Sequence, residues 1–239
     1  MGRLQSNQNS NPGRSVWADF IQLFFPRACV GCAGGLLRGE EWLCTQCLRD
    51  LPITNYHQWQ NNPVFERLLG RVSIRSAQAF LHFRKESVAQ RLLHELKYQR
   101  QAELGVFLGR VYGNLLAAAA RETWDVIIPV PLHPTRMRRR GYNQSERFAT
   151  GLSQELHIPV LAAALVREQA TETQTRKDRA QRWENMQQAF CVAEQQAIQN
   201  KAVLLVDDVI TTGATVEACA ERLCEAGCAS ISIACIAEA

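Results

Sequence analysis

The chain has 239 residues, of which 46% are hydrophobic and 21% are charged, an ordinary balance for a globular protein. This length allows one large domain, or one domain with a small appendage, and is sufficient to bury a hydrophobic core. The formal net charge of +4 suits a protein that handles anions, but by itself it is too small to indicate a nucleic-acid-binding protein.

The first 25 residues predict a flexible tail and a short amphipathic helix. Residues 1–14 are polar, and the apolar side chains after them recur at helical spacing. Such a helix packs against its own protein or touches a membrane surface. The region lacks the features of a signal peptide, and no stretch approaches the ~20 apolar residues of a membrane span. We therefore expect a cytoplasmic protein without stable membrane insertion.

Four cysteines follow in two Cys-x-x-Cys pairs, which predict a structural zinc knuckle over residues 26–52. The expected ligands are Cys29, Cys32, Cys44 and Cys47. Each pair can hold one side of a metal ion, and two pairs complete a tetrahedral thiolate site with no position left for catalysis. A reducing cytoplasm favours the metal over a disulfide or a redox pair, which remain the alternatives. The five later cysteines lie among apolar residues and are expected to be buried thiols.

The next part of the chain predicts an irregular segment, a strand and two helices. Residues 51–75 contain two prolines and show no regular hydrophobic period. A strand is expected at 77–83, then a helix from an N-cap at Ser87 to Tyr98, and a second helix over 102–120.

From residue 124 onward strands and helices alternate, which predicts an α/β fold with a mainly parallel central sheet. The expected strands are 124–130, 160–166, 190–192, 203–206 and 230–236, and the expected helices are 144–155 and 215–225. The strand 203–206 is wholly apolar, so we expect it inside the sheet. Gly227 is expected just after the last helix.

The segment after this apolar strand carries the strongest functional signal. The strand delivers two carboxylates, Asp207 and Asp208, to its carboxyl end, where open α/β sheets bind ligands. A hydroxyl-rich loop with one glycine then leads into a helix, whose first backbone N–H groups favour a phosphate. The loop positions are Thr211, Thr212, Gly213, Ala214 and Thr215. Carboxylates that accept from a sugar diol beside a phosphate cradle match a sugar phosphate.

Two other classes of protein place adjacent aspartates after an apolar strand. A response regulator has them at its first strand, whereas here they lie near the end of the chain. A Walker B segment needs an upstream Gly-x-x-x-x-Gly-Lys loop, which this sequence lacks. A purely structural turn would not need three threonines.

The segment resembles the signature with which type I phosphoribosyltransferases bind 5-phosphoribosyl 1-pyrophosphate (PRPP). The resemblance implies that Asp207 and Asp208 contact the ribose hydroxyls at the catalytic centre. It also implies that the loop 211–215 holds the 5′-phosphate.

A basic segment follows the strand 124–130 and predicts a loop that binds an anion. Four arginines fall within five residues: Arg136, Arg138, Arg139 and Arg140. Guanidinium groups pair well with pyrophosphate oxygens. The alternatives are a solvated basic face and a nucleic-acid patch. By analogy with the transferases, residues 129–132 take the place of the pyrophosphate loop.

The polar segment 167–188 is long for a loop inside a compact domain, so it is functional or a mobile hairpin. Similar enzymes have here a lid that closes over PRPP and excludes water. The candidate phosphate contacts of such a lid are Arg176, Lys177 and Arg179.

A four-cysteine segment before such a domain resembles the ComF competence family, which includes ComFC and GntX-like proteins. The shared motifs are Leu96-Lys97-Tyr98, Pro129-Val130-Pro131-Leu132, Arg140-Gly141-Tyr142-Asn143-Gln144, Thr171-x-Thr173-Gln174-Thr175-Arg176 and Arg182-x-x-Asn185. The resemblance implies a type I phosphoribosyltransferase fold over residues 53–239, with about 53–98 as a hood over the base site. It also implies a link to natural transformation.

Two functions follow from the resemblance. In the first, the protein transfers a phosphoribosyl group: Mg²⁺ bridges the pyrophosphate and the ribose hydroxyls, a nucleophile attacks C1′ and pyrophosphate leaves. In the second, a non-enzymatic factor processes single-stranded DNA or senses PRPP, and basic residues contact DNA phosphates. The sequence names neither a general base nor an acceptor.

Overall fold

The computed structural model describes residues 27–98, 101–167 and 189–239. The chain divides into two compact units, Met1–Asp50 and Leu51–Ala239. The tail and amphipathic helix expected over residues 1–25 lie outside the described residues, as does nearly all of the expected lid, with Arg176, Lys177 and Arg179. No helix within the described residues is long and apolar enough to span a bilayer.

The second unit is built on a parallel sheet of four strands, which are β1 (Ser76–His82), β2 (Val126–Pro129), β5 (Ala202–Ile210) and β6 (Ser230–Glu238). Their order across the sheet is β1-β6-β5-β2. The predictions of a parallel sheet and of an interior position for residues 203–206 are confirmed, and all four of these residues are buried. However, β5 continues to Ile210. Asp207 and Asp208 therefore lie in the last part of the strand and not in the loop after it.

The helices pack around this sheet. In chain order they are α1 (Thr45–Arg49) in the first unit and, in the second, α2 (Pro63–Leu68), α3 (Val88–Tyr98), α4 (Ala102–Ala119), α5 (Pro134–Arg140), α6 (Gln144–Leu156), α7 (Gln195–Ile198) and α8 (Ala214–Glu225). The predicted N-cap of α3 is confirmed, since the Ser87 hydroxyl accepts the Gln90 N–H. Gly227 follows α8 with a left-handed backbone, as predicted.

Two helices occupy segments that were expected to be irregular. The region 51–75 contains a 3-10 turn at Tyr56–Gln58 and the helix α2. The Asn62 side chain caps α2 by accepting the N–H groups of Val64 and Phe65. The prediction that the arginine cluster forms a loop was also wrong. Those arginines lie on α5, which is too short to show a hydrophobic period.

The strand expected over residues 160–166 is mostly absent. Val160 makes one isolated bridge to Ile127, and the regular strand is β3 (Leu165–Arg167). It pairs in antiparallel fashion with β4 (Phe190–Val192), which confirms the prediction that this second strand pairs back. Of the later cysteines, Cys219 and Cys235 are buried as expected, whereas Cys224 is exposed.

Two glycines let α4 and α6 cross at close range. A Cβ on Gly109 would overlap the carbonyl oxygen of Phe148, and a Cβ on Gly151 would overlap that of Val106. Any larger residue would push the helices apart. The crossing therefore fixes the position of α6, whose first residues line the cleft described below.

Candidate functional site

The four cysteines of the first unit form one compact cluster. The sulfur atoms of Cys29, Cys32, Cys44 and Cys47 all lie within 4.8 Å of one another, and those of Cys32 and Cys44 are 3.8 Å apart. Four thiolates around zinc at about 2.3 Å lie ~3.8 Å from each other in a regular tetrahedron. The cluster therefore has the dimensions of a structural zinc site.

The backbone around this cluster also fits a metal-thiolate site. The N–H groups of Gly31 and Cys44 donate to the Cys29 sulfur at 3.3 and 3.2 Å, and the N–H of Cys47 donates to the Cys44 sulfur. A Cβ on Gly31 would lie 2.7 Å from the Cys47 sulfur, so only glycine leaves room for this ligand. The expected zinc ligands are thus brought together.

Two thiols of the cluster have pKa values that are shifted in opposite directions. Burial raises the pKa of Cys29, but the backbone N–H donors outweigh it and lower this pKa to about 7. Burial and the neighbouring sulfurs raise the pKa of Cys47. Because four ionised thiolates would repel one another, a bound cation is what would allow all of them to lose their protons.

The main cleft of the second unit lies at the carboxyl ends of β2 and β5. Its volume is about 620 Å³, open to solvent. Its walls include Lys97, Arg136, Arg140, Gln144, Arg167, Asp207 and Asp208. The acidic pair and two arginines of the basic cluster therefore face one space. Arg138 and Arg139 are exposed on α5 and are not among the lining residues.

The two carboxylates have different partners within this cleft. An oxygen of Asp207 accepts the Ser145 hydroxyl at 3.1 Å and the Asp208 N–H at 2.8 Å. An oxygen of Asp208 lies 2.8 Å from the ammonium of Lys97, while its other oxygen accepts the Val209 N–H. Asp207 is thus held by a backbone N–H of its own strand and by a hydroxyl on α6, whereas Asp208 is paired with the long side chain of Lys97 on α3.

Burial raises the pKa of Asp207 to about 7, and the charge of Asp208 acts in the same direction. The Asp208 N–H, the Ser145 hydroxyl and Lys97 lower this pKa but offset only part of the effect. The pair thus carries a proton more readily than two separate aspartates would.

The segment from Arg140 to Gln144 assembles one wall of the cleft. The Tyr142 hydroxyl donates to the Leu96 carbonyl, which fixes the end of α3 beside Lys97. The Asn143 amide donates to the Val130 carbonyl at 2.9 Å. Arg140 donates to the Gln144 side-chain oxygen at 2.7 Å. Gln144 is 1% exposed and lines the cleft next to Arg140.

The phosphate-loop candidates border a smaller cavity that adjoins the main cleft. It is lined by Asp207 and by residues 209–216, and its volume of about 220 Å³ includes space that is open to solvent. Gly213 is buried and has φ +82°, a left-handed conformation that favours glycine, and it is the N-cap of α8. A Cβ there would also lie 2.6 Å from a methyl carbon of Leu68.

Two arginines from the region of α2 donate hydrogen bonds to backbone carbonyl groups of this loop. Arg67 donates to the Thr211 carbonyl, and Arg71 donates to the Thr212 carbonyl at 2.7 Å. Arg71 also pairs with Glu217, which is only 3% exposed. In a trans peptide the N–H points away from the carbonyl oxygen before it. The N–H groups of Thr212 and Gly213 therefore point away from the arginines.

Three residues in or beside the cleft were missed from sequence, namely Ser145, Arg67 and Arg71, whereas Arg167 begins the segment expected to form the lid. Ser145 directly follows the motif Arg140-Gly141-Tyr142-Asn143-Gln144, which could have indicated it. Arg67, in contrast, contacts Thr211, which lies 144 residues away, and no local sequence pattern indicates such a contact. Arg167 lines the cleft with its guanidinium 5.1 Å from the Phe190 ring centroid.

The sequence is similar to a family of phosphoribosyl transferase domains and to bacterial proteins named for DNA utilization and competence. A family model described as a phosphoribosyl transferase domain matches residues 139–239. The chain is 32% identical over 208 residues to the DNA utilization protein YhgH of Escherichia coli O157:H7, and this match covers 83% of this chain and 85% of that protein. It is 29% identical over 225 residues to Competence protein F of Haemophilus influenzae, and this match covers 88% of this chain and 96% of that protein. A solved structure described as the allosteric regulatory enzyme of purine biosynthesis is 20% identical, with a TM-score of 0.43, and the match covers 60% of this chain and 30% of that one.

Proposed function

Because this chain belongs to the ComF family, whose members carry a phosphoribosyltransferase domain, we propose that its main cleft binds PRPP or a related ribose 5-phosphate. One observation carries the proposal. Asp207 and Asp208 face a cleft of about 620 Å³ that continues into the loop cavity. Carboxylates that accept from a diol thus stand next to backbone groups that suit a phosphate.

The ribose lies against the two aspartates. Its hydroxyls donate to the oxygens of Asp208 and take the place of Lys97, whose ammonium is then free to face an anionic group of the ligand. Asp207 is held by Ser145 and supplies the second acceptor. A ligand with neither hydroxyl would displace Lys97 without replacing the donor that it gives to Asp208, which is unfavourable.

The 5′-phosphate lies in the loop cavity. The N–H groups of Thr212 and Gly213 and the first turn of α8 offer donors there, and the helix dipole favours a negative charge. The hydroxyls of Thr211, Thr212 and Thr215 add further donors. Arg67 and Arg71 act as positioning residues because they bind the carbonyl groups of Thr211 and Thr212, which point away from the N–H groups that face the phosphate.

The pyrophosphate lies toward the basic wall. Arg136, Arg140 and Arg167 supply guanidinium donors, and the Gln144 amide supplies a neutral one. Asp207 and Asp208 are the carboxylates of the cleft that would hold Mg²⁺, and the ion would supply positive charge to offset that of the leaving group. Arg138 and Arg139, and with them Arg176, Lys177 and Arg179 of the expected lid, remain candidates for contacts made after closure.

The four-cysteine unit holds a structural zinc ion. Its tight sulfur cluster and its N–H donors support this assignment, and the absence of an open ligand position argues against catalysis. No disulfide joins any of the nine cysteines, all of which lie within the described residues; this suits a reducing compartment, so we infer that the protein works in the cytoplasm.

The names of the relatives support a role in the use of imported DNA. A second candidate function, contact with single-stranded DNA or sensing of PRPP without turnover, is favoured by the exposed position of Arg138 and Arg139 outside the cleft. If these residues bind DNA phosphates, their removal will lower affinity for a single-stranded oligonucleotide and reduce its dependence on salt.

Calorimetry with PRPP and Mg²⁺ tests the binding proposal. The variant Asp207→Asn/Asp208→Asn is expected to lose detectable binding, whereas Glu225→Gln, which removes an exposed carboxylate on α8, should bind like the wild type. Unchanged binding in the double variant would refute the assignment of the cleft. Release of pyrophosphate with a panel of nucleobases then separates a transferase from a sensor.

A further inference from the structure

A second cleft of similar size lies at the opposite edge of the same sheet. Its volume is about 630 Å³, and it shares no lining residue with the main cleft. It borders Ser76 in β1, which is aligned with Ser232 in β6. Ser232 is aligned with Leu204, three residues before Asp207, or ~10 Å along the strand at about 3.3 Å per residue. The two clefts are therefore separate.

One wall of this cleft presents an exposed aromatic platform. The side chain of Trp59 is 54% exposed, and its ring contacts Tyr56 at a centroid distance of 5.7 Å and a tilt of 49°. A large apolar ring that is half exposed beside a cleft offers a surface on which a flat ligand can stack.

The mouth of the cleft is positively charged. Arg75 and Arg121 both line it and are both exposed. Arg121 donates to the carbonyl of Gln58, which holds its guanidinium next to the platform. The one carboxylate of the lining, Glu122, accepts the hydroxyls of Ser76 and Ser232 at 3.0 and 2.7 Å. Its charge is directed into the sheet edge, so an anion at the mouth meets two guanidinium groups.

The inner part of the cleft is lined by buried polar side chains, one of which has an unpartnered ring nitrogen. His57 is only 6% exposed, and its Nδ1 atom is buried without a hydrogen-bond partner among the described residues. Burial lowers the pKa of this imidazole, so the ring is neutral at pH 7. Gln78, 7% exposed, also lines the cleft. A buried polar atom without a partner is unfavourable, which makes the His57 ring suited to a ligand with its own donors and acceptors.

We propose that this cleft binds a nucleotide unit: the base stacks on Trp59, its polar edge faces His57 and Gln78, and the phosphate pairs with Arg75 and Arg121. A flat platform, a polar interior and a cationic mouth match the three parts of a nucleotide. An acidic peptide would use the arginines but not the platform. The unit comes from a free nucleotide or from a single strand of nucleic acid.

Calorimetry on the full-length protein tests this, with thymidine 3′-monophosphate and a single-stranded thymidine hexamer as separate probes, because neither has the paired ribose hydroxyls that the main cleft is proposed to bind. We expect at least one of them to bind, and Trp59→Ala to weaken it about tenfold, the effect of losing one stacked base. Trp59→Phe keeps an aromatic face and should retain most of the affinity, which guards against a general effect on folding. Binding of the monophosphate identifies a free nucleotide as the source, and binding of the hexamer alone identifies a strand.

Charge and location are tested in the same way. Arg75→Gln should weaken the probe about tenfold, whereas Arg84→Gln, at an exposed position that does not line the cleft, should not. Asp207→Asn/Asp208→Asn should leave the probe unaffected while it abolishes PRPP binding. The proposal is overturned if neither probe binds the wild type, if Trp59→Ala binds like the wild type, or if the aspartate variant weakens the probe as strongly as it weakens PRPP.

Discussion

The four-cysteine cluster and the main cleft are built in opposite ways. All four sulfurs come from one stretch of 19 residues, Cys29 to Cys47, and their geometry is set by local turns and by Gly31. The cleft takes its groups from α3, the region of α5 and α6, β3 and β5. A site made by one short segment can be recognised from spacing alone, whereas a site assembled from distant segments depends on the fold.

The two regions also differ in what their functional groups do to stability. The cysteine unit is expected to gain most of its stability from a bound ion. The cleft instead holds two adjacent carboxylates, of which Asp207 is buried enough to have a raised pKa. Charges held close together without a ligand lower the stability of the folded state.

Removal of the metal should have the largest effect and should be confined to the cysteine unit. Cys47→Ser replaces a buried ligand and should reduce bound zinc from about one equivalent per chain to none, with a loss of up to ~10 kcal/mol of metal-binding free energy. Metal analysis and hydrogen exchange of residues 27–50 measure this.

Cys224→Ser is the matched control, because this thiol is exposed and lies outside the cluster. PRPP affinity should be the same in both variants. Loss of PRPP binding together with the zinc would contradict the separation of the two regions.

Removal of the Arg71 contacts that hold the loop 211–215 in place should have an intermediate effect on PRPP affinity and stability. Arg71→Gln frees the Thr212 carbonyl and leaves the buried carboxylate of Glu217 without its cation. We expect PRPP affinity to fall by tenfold or more and stability to fall by about 2 kcal/mol, less than for a fully buried pair because Arg71 is partly exposed. Calorimetry and chemical denaturation measure the two quantities.

The double variant Arg71→Gln/Glu217→Gln separates the two effects. It removes the unpaired charge, so stability should recover while PRPP affinity stays low. Recovery of both would mean that Arg71 has no positioning role at the loop.

The pH dependence of stability should show the smallest effect. Because the pKa of Asp207 is raised from 3.8 to about 7, the folded state binds this proton more tightly than the unfolded state. The contribution of Asp207 to the unfolding free energy is therefore present at low pH and is lost as pH rises from about 4 to 7. Asp207→Asn should remove this decline and make the protein more stable than the wild type at pH 8.

Denaturation at pH 5 and pH 8 without ligand measures the difference between variant and wild type. Asp50→Asn, which alters an exposed carboxylate in the cysteine unit, should follow the wild-type profile. A wild type and an Asp207→Asn variant with parallel profiles would show that Asp207 is ionised throughout this range.

Much of the fold could be predicted because the relevant signals are local. The apolar run 203–206 indicated an interior strand, and Ser87 and Gly227 marked helix ends correctly. Errors arose where the local signal was weak. The Asn62-Pro63 cap of α2 was overlooked inside a segment without a hydrophobic period, and α5 was obscured by its row of arginines.

The sequence by itself determined the chemistry at each end of this protein: a cluster of four thiols, and two carboxylates followed by a phosphate-type loop. Short spacings specify such elements because their atoms are neighbours along the chain. Only the tertiary structure decided that Lys97 pairs with Asp208, that Ser145 holds Asp207, and that arginines from the region of α2 hold the loop. These contacts join residues that lie 62 to 144 positions apart along the chain, and they depend on how helices pack on the sheet, which no local pattern encodes.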